Sequence, residues 1–256
     1  MENGNDSISQ AVIRAAAEAG ALIRGSAFEY ALEMKKKDDP VTTLDRSAER
    51  RIRKVLEELA PGNYIGEEYG HENRGASTTY HIDPIDGTKS FVLRDFESAV
   101  SIGVERDGKL IGGVVHDFMR DIAYAGFEGD CYLLHDGKRH EIMGSHPFSK
   151  VRLSIDNETG LASRLDSSYS VHERKGSIAL AMAQLAAGNY DGMVCASTGK
   201  GNSWDVAAGY YLLHARGFDV RDIDGKPFDY HNGTNGIVAI RPDLEKRVLH
   251  DLGMRE

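Results

Sequence analysis

The 256-residue chain has only two cysteines, Cys131 and Cys195, which lie far apart in the sequence. Two isolated cysteines form neither a disulfide framework nor a Cys-x-x-Cys metal clip, so free thiols in a reducing compartment are expected. No apolar run approaches the roughly 20 residues that a membrane helix needs. The start of the chain, residues 1–10, is polar and lacks the apolar segment of a signal peptide. These absences predict a cytoplasmic protein that does not bind membranes.

Positive charges are outnumbered, since 31 Lys and Arg residues stand against 40 Asp and Glu residues and the formal net charge is -9. This balance argues against the basic face of a nucleic-acid-binding protein. It does not argue against phosphate substrates, because bound metal ions can invert the local field of an acidic site. The ten histidines show no H-x-x-x-H pair or other zinc spacing. His81 is therefore expected to be a packed strand residue rather than a metal ligand.

Apolar periodicity predicts helices at residues 8–23 and 46–59, separated by a charged loop at 35–40. Short alternating segments between residues 64 and 134 predict a largely antiparallel sheet. Beyond residue 145, helices alternate with strands, which favours an α/β layer. The predicted fold class is therefore α/β, with an α+β subdomain at 1–145 that carries most candidate metal ligands and an α/β subdomain at 146–256 that supplies Asp205.

The segment at residues 81–91 reads HIDPIDGTKSF. Asp83 ends a predicted strand, Asp86 follows three residues later, and Gly87-Thr88 opens a predicted helix. Two carboxylates this close repel each other unless a cation lies between them, and Mg²⁺ prefers carboxylate and carbonyl oxygens. The free N–H groups at a helix start suit a phosphate. The alternative is a simple Asp-Pro turn in which Asp86 is the N-cap of the helix.

Two further acidic groups extend the pattern. Glu67 and Glu68 follow a short apolar strand, and Asp205 follows Trp204 at a predicted helix start. Taken alone, the glutamates are typical of a solvated turn, and Asp205 is typical of a helix N-cap. Together with residues 83–88 they form an ordered set of motifs, GEE, DPIDGT and WDVAAG.

In this order the motifs resemble the inositol monophosphatase family, part of the lithium-sensitive, metal-dependent sugar phosphatase superfamily, over nearly the full length of the chain. Residues 41–45 (VTTLD) also match the V-T-x-x-D element of that family. The resemblance implies a layered αβαβα sandwich and a homodimer. It also implies a Mg²⁺-dependent phosphomonoesterase that hydrolyses a small polyol or sugar-like phosphate, of the inositol-1-phosphate type, by attack of a metal-activated water.

The resemblance further implies roles for individual residues. Two or three Mg²⁺ ions are expected, and their ligands would be Glu67, Asp83, the carbonyl of Ile85, Asp86 and Asp205. The catalytic residues would be Thr88, Asp45 and Glu67, with the Thr88 hydroxyl orienting the attacking water and Asp45 supporting it. The substrate and its phosphate would contact Asp86, Gly87, Thr88 and Asp205.

The chain departs from the family pattern on the substrate side. Inositol-specific members carry a glutamate on the strand before the W-D helix, and the matching position here is Cys195. The ending Lys89-Ser90-Phe91 is closer to histidinol-phosphate phosphatases and nucleotide 3′-phosphatases. Histidinol phosphate, fructose 1,6-bisphosphate and adenosine 3′,5′-bisphosphate are therefore alternative substrates. A non-catalytic binding protein is a further hypothesis, which the retention of all the motif carboxylates and Thr88 disfavours.

Overall fold

The computed structural model describes residues 3–27, 29–36, 39–142, 148–156, 160–200, 202–232 and 235–254. The α-helices are α1 (Asn3–Gly25), α2 (Thr43–Leu59), α3 (Thr88–Leu93), α4 (Ile178–Ala186), α5 (Ser203–Ala215) and α6 (Glu245–Leu252). The strands are β1 (Leu32–Lys36), β2 (Asp39–Thr42), β3 (Asn63–Gly66), β4 (Gly70–Glu72), β5 (Thr78–Asp86), β6 (Ala99–Arg106), β7 (Lys109–Asp117), β8 (Ile122–Phe127), β9 (Asp130–His135), β10 (Lys138–Glu141), β11 (Val151–Asp156), β12 (Tyr169–Arg174), β13 (Gly192–Lys200), β14 (Val220–Arg221) and β15 (Asn235–Ile240).

Within these described ranges, the strands form two large sheets and one short hairpin. The first sheet has the strand order β10-β9-β8-β7-β6-β5-β3-β4, and the second has the order β12-β11-β13-β15-β14. In the first sheet the pairs are antiparallel except for β3 and β5, which run parallel. The second sheet is mixed, because β11 runs parallel to both of its neighbours whereas β15 is antiparallel to both of its own. The α/β class predicted from the sequence is confirmed.

In the part of the chain that the structure describes, three apolar clusters separate the layers. The first lies between α1, α2 and the first sheet and includes Val114. The second lies between the two sheets around α4 and α5 and includes Val115. The third lies between the second sheet and α6 and includes Val248. Because side chains alternate along a strand, the adjacent residues Val114 and Val115 of β7 enter different clusters. The layer order is therefore αβαβα, as the resemblance implies.

Helix α5 lies unusually close to the first sheet because two strand positions carry glycine. A Cβ on Gly103 would lie 2.6 Å from the Cβ of Ala207, and one on Gly113 would lie 2.8 Å from the Cα of Ala208. Side chains larger than hydrogen would push the helix away from β6 and β7. This close approach brings the start of α5 beside the end of β5.

Two strands that sequence patterns missed lie at the edges of the large sheets. Strands β10 and β12 close one edge of each large sheet, and their sequences KRHE and YSVHER are largely polar. Edge strands often carry charged residues because charge discourages pairing with other chains. Such strands lack the alternation of apolar and polar residues by which a strand is predicted. The charged loop predicted at 35–40 is wrong for residues 35, 36, 39 and 40, which lie in the two strands of the β1–β2 hairpin; residues 37 and 38 lie outside the described residues.

The subdomain boundary predicted near residue 145 also falls outside the described residues and stays a prediction. In the described part of the chain, none of the helices is both long and apolar enough to cross a membrane.

Candidate metal centre and active site

The acidic cluster begins where β5 ends. Asp83 pairs in register with Ser101 of β6, and Asp86 pairs with Ala99, so β5 has one more residue than β6 between these pairs. Such an irregularity bends a strand and redirects its side chains. The turn is stabilised by the amide of Ile85, which donates to Asp83 Oδ1 at 3.0 Å. Both carboxylates thereby reach the same place, where oxygens of Asp83, Asp86 and Asp205 all lie within 4.8 Å of one another.

The alternative interpretation, in which Asp86 is the N-cap of the helix that follows it, is wrong. The N-cap of α3 is Gly87. Asp86 instead accepts hydrogen bonds from the Ser177 hydroxyl at 2.5 Å and the Ala179 amide at 2.7 Å. Ser177 is the N-cap of α4, so Asp86 stabilises the start of a helix from the other half of the chain.

Asp205 is likewise not an N-cap. Asn202 is the N-cap of α5, and Asp205 is the third helical residue, where it accepts the Asn202 amide at 2.9 Å. This reciprocal capping box fixes the first turn of the helix. It also places the Asp205 carboxylate within 4.8 Å of carboxylate oxygens of Asp83 and Asp86, which lie on β5.

The electrostatics of this cluster favour a cation. Burial deprives each carboxylate of hydration and raises its pKa: that of Asp83 moves well above its ordinary value, that of Asp86 to about 6 and that of Asp205 to about 7. Repulsion adds to the effect, since Glu67 and Asp86 raise the pKa of Asp83 further. An all-oxygen set of acidic side chains that repel one another fits a small, hard, divalent ion.

Glu67 and Glu68 lie beside this cluster. The Glu67 amide donates to the Ile82 carbonyl of β5 at 3.1 Å, and the charge of Glu67 raises the pKa values of both Asp83 and Asp45. The amide of Glu68 donates to the Glu49 carboxylate at 2.7 Å. Glu49 lies on α2 and is completely buried. The backbone of the turn at Glu67 and Glu68 is thus anchored to a buried carboxylate of α2.

Thr88 connects the metal cluster to α2. Its hydroxyl lies 3.1 Å from Asp45 Oδ1 and 2.9 Å from the carbonyl oxygen of Ile85. Asp45 is held by Thr42, whose amide and hydroxyl both donate to Asp45 Oδ2. Burial raises the pKa of Asp45. The structure therefore brings Thr88, Asp45 and the carbonyl of Ile85 together.

Gly87 is a position that only glycine suits. Its φ of +83° lies in the left-handed region, and a Cβ would lie 2.7 Å from both the Glu97 carbonyl and the Ser177 amide. The first N–H groups of α3 have no partner within the helix. A cleft of about 550 Å³ opens here, lined by Gly87, Lys89, Ser90, Leu93, Asp95, Asp156, Glu173, Arg174, Lys175 and Gly176.

Sequence reasoning missed several residues that support the centre. The signal for Ser177 was its place just before a predicted helix, where an N-cap is common. The signal for Glu49 was an acid on the mainly apolar face of α2, which includes Ile52 and Leu56. A buried carboxylate needs partners, and those partners are found only in the folded chain.

The chain matches the family described as the inositol monophosphatase family over residues 5–254. It is 30% identical to the inositol-1-monophosphatase of Bacillus subtilis, with 91% of this chain and 92% of that protein covered. It is 31% identical to the Nus factor SuhB of Escherichia coli K12, with 94% and 93% covered.

The fold is shared with solved structures as well. The extragenic suppressor protein SuhB of Bartonella henselae superposes with a TM-score of 0.81, at 24% sequence identity, over 96% of this chain and 98% of that one. The fold, the order of its motifs and the match along nearly the whole sequence agree. The chain belongs to the inositol monophosphatase family.

Proposed function

We propose that the protein is a Mg²⁺-dependent phosphomonoesterase that acts on a small polyol or sugar-like phosphate of the inositol-1-phosphate type. The observation that carries this proposal is the convergence of Asp83, Asp86 and Asp205 within 4.8 Å. Two of them come from one motif and the third from the other half of the chain. Membership of the inositol monophosphatase family, and the printed name of the Bacillus subtilis relative, support the same reaction class.

The proposed metal ligands form two overlapping sets. Glu67, Asp83 and the carbonyl of Ile85 would hold one Mg²⁺, and Asp83, Asp86 and Asp205 would hold a second. Glu67 could also hold a third ion through waters. When bound, Mg²⁺ supplies Lewis acidity, which makes water a better nucleophile and neutralises charge on the phosphate and leaving oxygen.

The chain itself supplies position. Thr88 orients the attacking water through its hydroxyl, and Asp45 fixes that hydroxyl from 3.1 Å away. The amides of Gly87 and Thr88 bind the phosphate, because a helix start presents free N–H groups and the positive end of its dipole. In this proposal no side chain forms a covalent bond to phosphorus, and the residues act by holding the reactants in line.

A second candidate substrate class is a bisphosphate or another polyol phosphate with a second anionic group. The cleft beside Gly87 is lined by the cations Lys89, Arg174 and Lys175 and by the acids Asp95, Asp156 and Glu173. The Arg174 guanidinium donates to Cys195 Sγ at 3.1 Å and to the Gly176 carbonyl at 2.9 Å. A cation beside the cysteine favours anionic over neutral substrate groups at this point.

One experiment tests the reaction and ranks the substrates. The purified protein, stripped of metal with a chelator, is assayed with inositol 1-phosphate, histidinol phosphate, fructose 1,6-bisphosphate and adenosine 3′,5′-bisphosphate before and after Mg²⁺ is restored. We expect phosphate release only with Mg²⁺, and we expect Asp83→Asn to abolish it. Metal binding without hydrolysis of any of these, or of a general phosphomonoester, would favour the non-catalytic binding hypothesis.

We also propose that the protein is cytoplasmic and homodimeric. Its two cysteines are both buried free thiols, which is compatible with a reducing compartment. Light scattering on the purified protein would give the number of subunits.

A further inference from the structure

Three polar residues that contact one another lie next to the acidic cluster. His81 is on β5, two residues before Asp83, and is completely buried. Its Nδ1 lies 2.8 Å from the hydroxyl of Ser203, and its Nε2 lies 3.3 Å from a carboxylate oxygen of Glu105. Ser203 is the first residue of α5, two residues before Asp205. The three residues therefore connect the strand that carries Asp83 to the helix that carries Asp205.

One arrangement of protons satisfies all three groups. With the proton on Nε2, the imidazole donates to Glu105, and Nδ1 accepts the hydroxyl proton of Ser203. The same Glu105 oxygen accepts a hydrogen bond from the Tyr230 hydroxyl at 3.1 Å, and His231 Nε2 lies 3.2 Å from it. Three groups thus converge on one oxygen of Glu105, and this oxygen orients the His81 ring.

An acid, a histidine and a serine are also linked by hydrogen bonds in the catalytic triad of serine hydrolases, but the geometry here does not fit that chemistry. Ser203 is only 8% exposed, and it is not among the residues that line the cleft beside Gly87. A nucleophile has to reach its substrate. The contacts of Ser203 hold the start of α5 instead.

A second bond at the same helix end supports this interpretation. The Ser101 hydroxyl of β6 donates to the Trp204 carbonyl at 3.1 Å. The close approach to Gly103 and Gly113 sets the position of the middle of α5 against the sheet. It does not set the position of the first turn, which depends on polar contacts such as those of Ser203 and Trp204. The distance between Asp205 and Asp83 depends on that turn.

We infer that His81, oriented by Glu105 and bonded to Ser203, is a positioning residue that sets the place of Asp205 in the metal cluster. This inference rests on the proposed function, because it assigns the metal site that Asp83, Asp86 and Asp205 would share. Substitution of a residue that orients a metal ligand commonly lowers the metal affinity by about 10- to 100-fold. His81 acts here through a helix rather than through a ligand atom.

Direct metal binding to the full-length protein tests the inference. Calorimetric titration with Mn²⁺, which needs no substrate, is compared for wild type, Ser203→Ala and the control Ser154→Ala. Ser154 is also a buried serine, and its hydroxyl makes no hydrogen bond within the described part of the chain. We expect Ser203→Ala to weaken Mn²⁺ binding about tenfold, with a melting temperature in chelator close to that of the control. Equal Mn²⁺ affinities for the two serine variants would overturn the inference.

Two variants of His81 separate positioning from packing. His81→Asn keeps an acceptor near the position of Nδ1 and can still bind the Ser203 hydroxyl, whereas His81→Leu fills the space without an acceptor. We expect Mn²⁺ affinity near wild type for His81→Asn and a loss like that of Ser203→Ala for His81→Leu, with no further loss in the double variant. If both His81 variants bind Mn²⁺ equally well, or lose affinity only in proportion to stability, the role is structural and the inference is wrong.

These outcomes are distinct from failure of the proposed function. If the wild-type protein binds no Mn²⁺ and hydrolyses no phosphomonoester, the proposed metal centre itself fails. If wild type binds the metal and hydrolyses substrate but Ser203→Ala does both equally well at every metal concentration, only the positioning role fails.

Discussion

Asp86 and Asp205 each stabilise a helix end and also lie in the acidic cluster. Asp86 accepts two hydrogen bonds at the start of α4, and Asp205 completes the capping box of α5. Capping needs only an oxygen acceptor, and asparagine supplies one as well as aspartate does. Metal binding needs negative charge. Substitutions that keep the acceptor and remove the charge therefore separate the two roles.

We predict that Asp205→Asn lowers kcat and weakens Mg²⁺ binding, each by at least about tenfold. The substituted amide oxygen still accepts the Asn202 amide, and repulsion with Asp86 disappears, so the melting temperature without metal should be unchanged or slightly higher. Mg²⁺ titrations of activity and thermal scans in chelator measure both effects. Asp166→Asn is the control, because exposed Asp166 likewise caps a turn, at Ser168, away from the centre. A normal Mg²⁺ titration for Asp205→Asn would show that the halves do not share a metal site.

Thr88 is expected to act on the reaction rather than on metal binding. Thr88→Ala removes the hydroxyl that lies between Asp45 and the Ile85 carbonyl, and we expect kcat to fall about 100-fold or more. Thr88→Ser keeps the hydroxyl and should recover most of the activity. Steady-state kinetics at saturating Mg²⁺ measure the difference, and equal kcat values for wild type and Thr88→Ala would remove Thr88 from the mechanism.

Among the elements, α5 has the strongest effect on the geometry of the centre. It fits between the sheets only because β6 and β7 carry glycine where it crosses them, at Gly103 and Gly113. Its first turn carries Asp205. Its neighbour in the same helical layer is α4, and the start of α4 binds Asp86. Small displacements of this helix therefore change the distance between ligands that come from distant parts of the sequence.

We predict that Gly113→Ala destabilises the fold by about 1–3 kcal/mol, the usual effect of overpacking a core. The added Cβ would lie 2.8 Å from the Ala208 backbone, so α5 has to move, and Mg²⁺ affinity should fall as well. Gly25→Ala is the matched control, since a Cβ there meets nothing within 4 Å; its free energy of unfolding should stay within about 0.5 kcal/mol of wild type. Denaturant unfolding measures the stabilities, and equal stabilities for the two variants would contradict the packing argument.

For the whole molecule, burial of the acidic cluster links stability, pH and metal. The folded-state pKa is about 6 for Asp86 and about 7 for Asp205, against an ordinary 3.8. The folded protein therefore holds protons that the unfolded chain has already released. Without metal, the contribution of these groups is most favourable below pH 3.8 and is lost as the pH rises toward about 7.

We predict that the increase in melting temperature caused by saturating Mg²⁺ is small near pH 5.5 and grows toward pH 8, values chosen to bracket the shifted pKa values. The ion has to displace protons at low pH, whereas at high pH it relieves carboxylate repulsion. Comparison of the same protein with and without Mg²⁺ at each pH cancels the titration of all distant groups. A metal-induced shift that is independent of pH would mean that these carboxylates are not the ligands.

The sequence by itself determined which residue types are available for the chemistry and the order of their motifs along the chain. GEE, DPIDGT and WDVAAG are local motifs, and their residue types predict oxygen ligands and a helix start. The amphipathic helices α1 and α2 and the β6–β7 hairpin were equally predictable, because each is specified by neighbouring residues. The polar edge strands β10 and β12 were not, since their formation depends on a sheet edge that other residues build.

Only the tertiary structure decided how those residues meet. Asp205 joins Asp83 because glycines in β6 and β7 let α5 approach the sheet. Asp86 binds the start of α4 rather than its own helix, and His81 bonds to Ser203 across the layers. Each of these contacts joins residues more than 90 positions apart. No local pattern specifies such pairs, because they follow from the path of the whole backbone and from the need of buried polar groups to find partners.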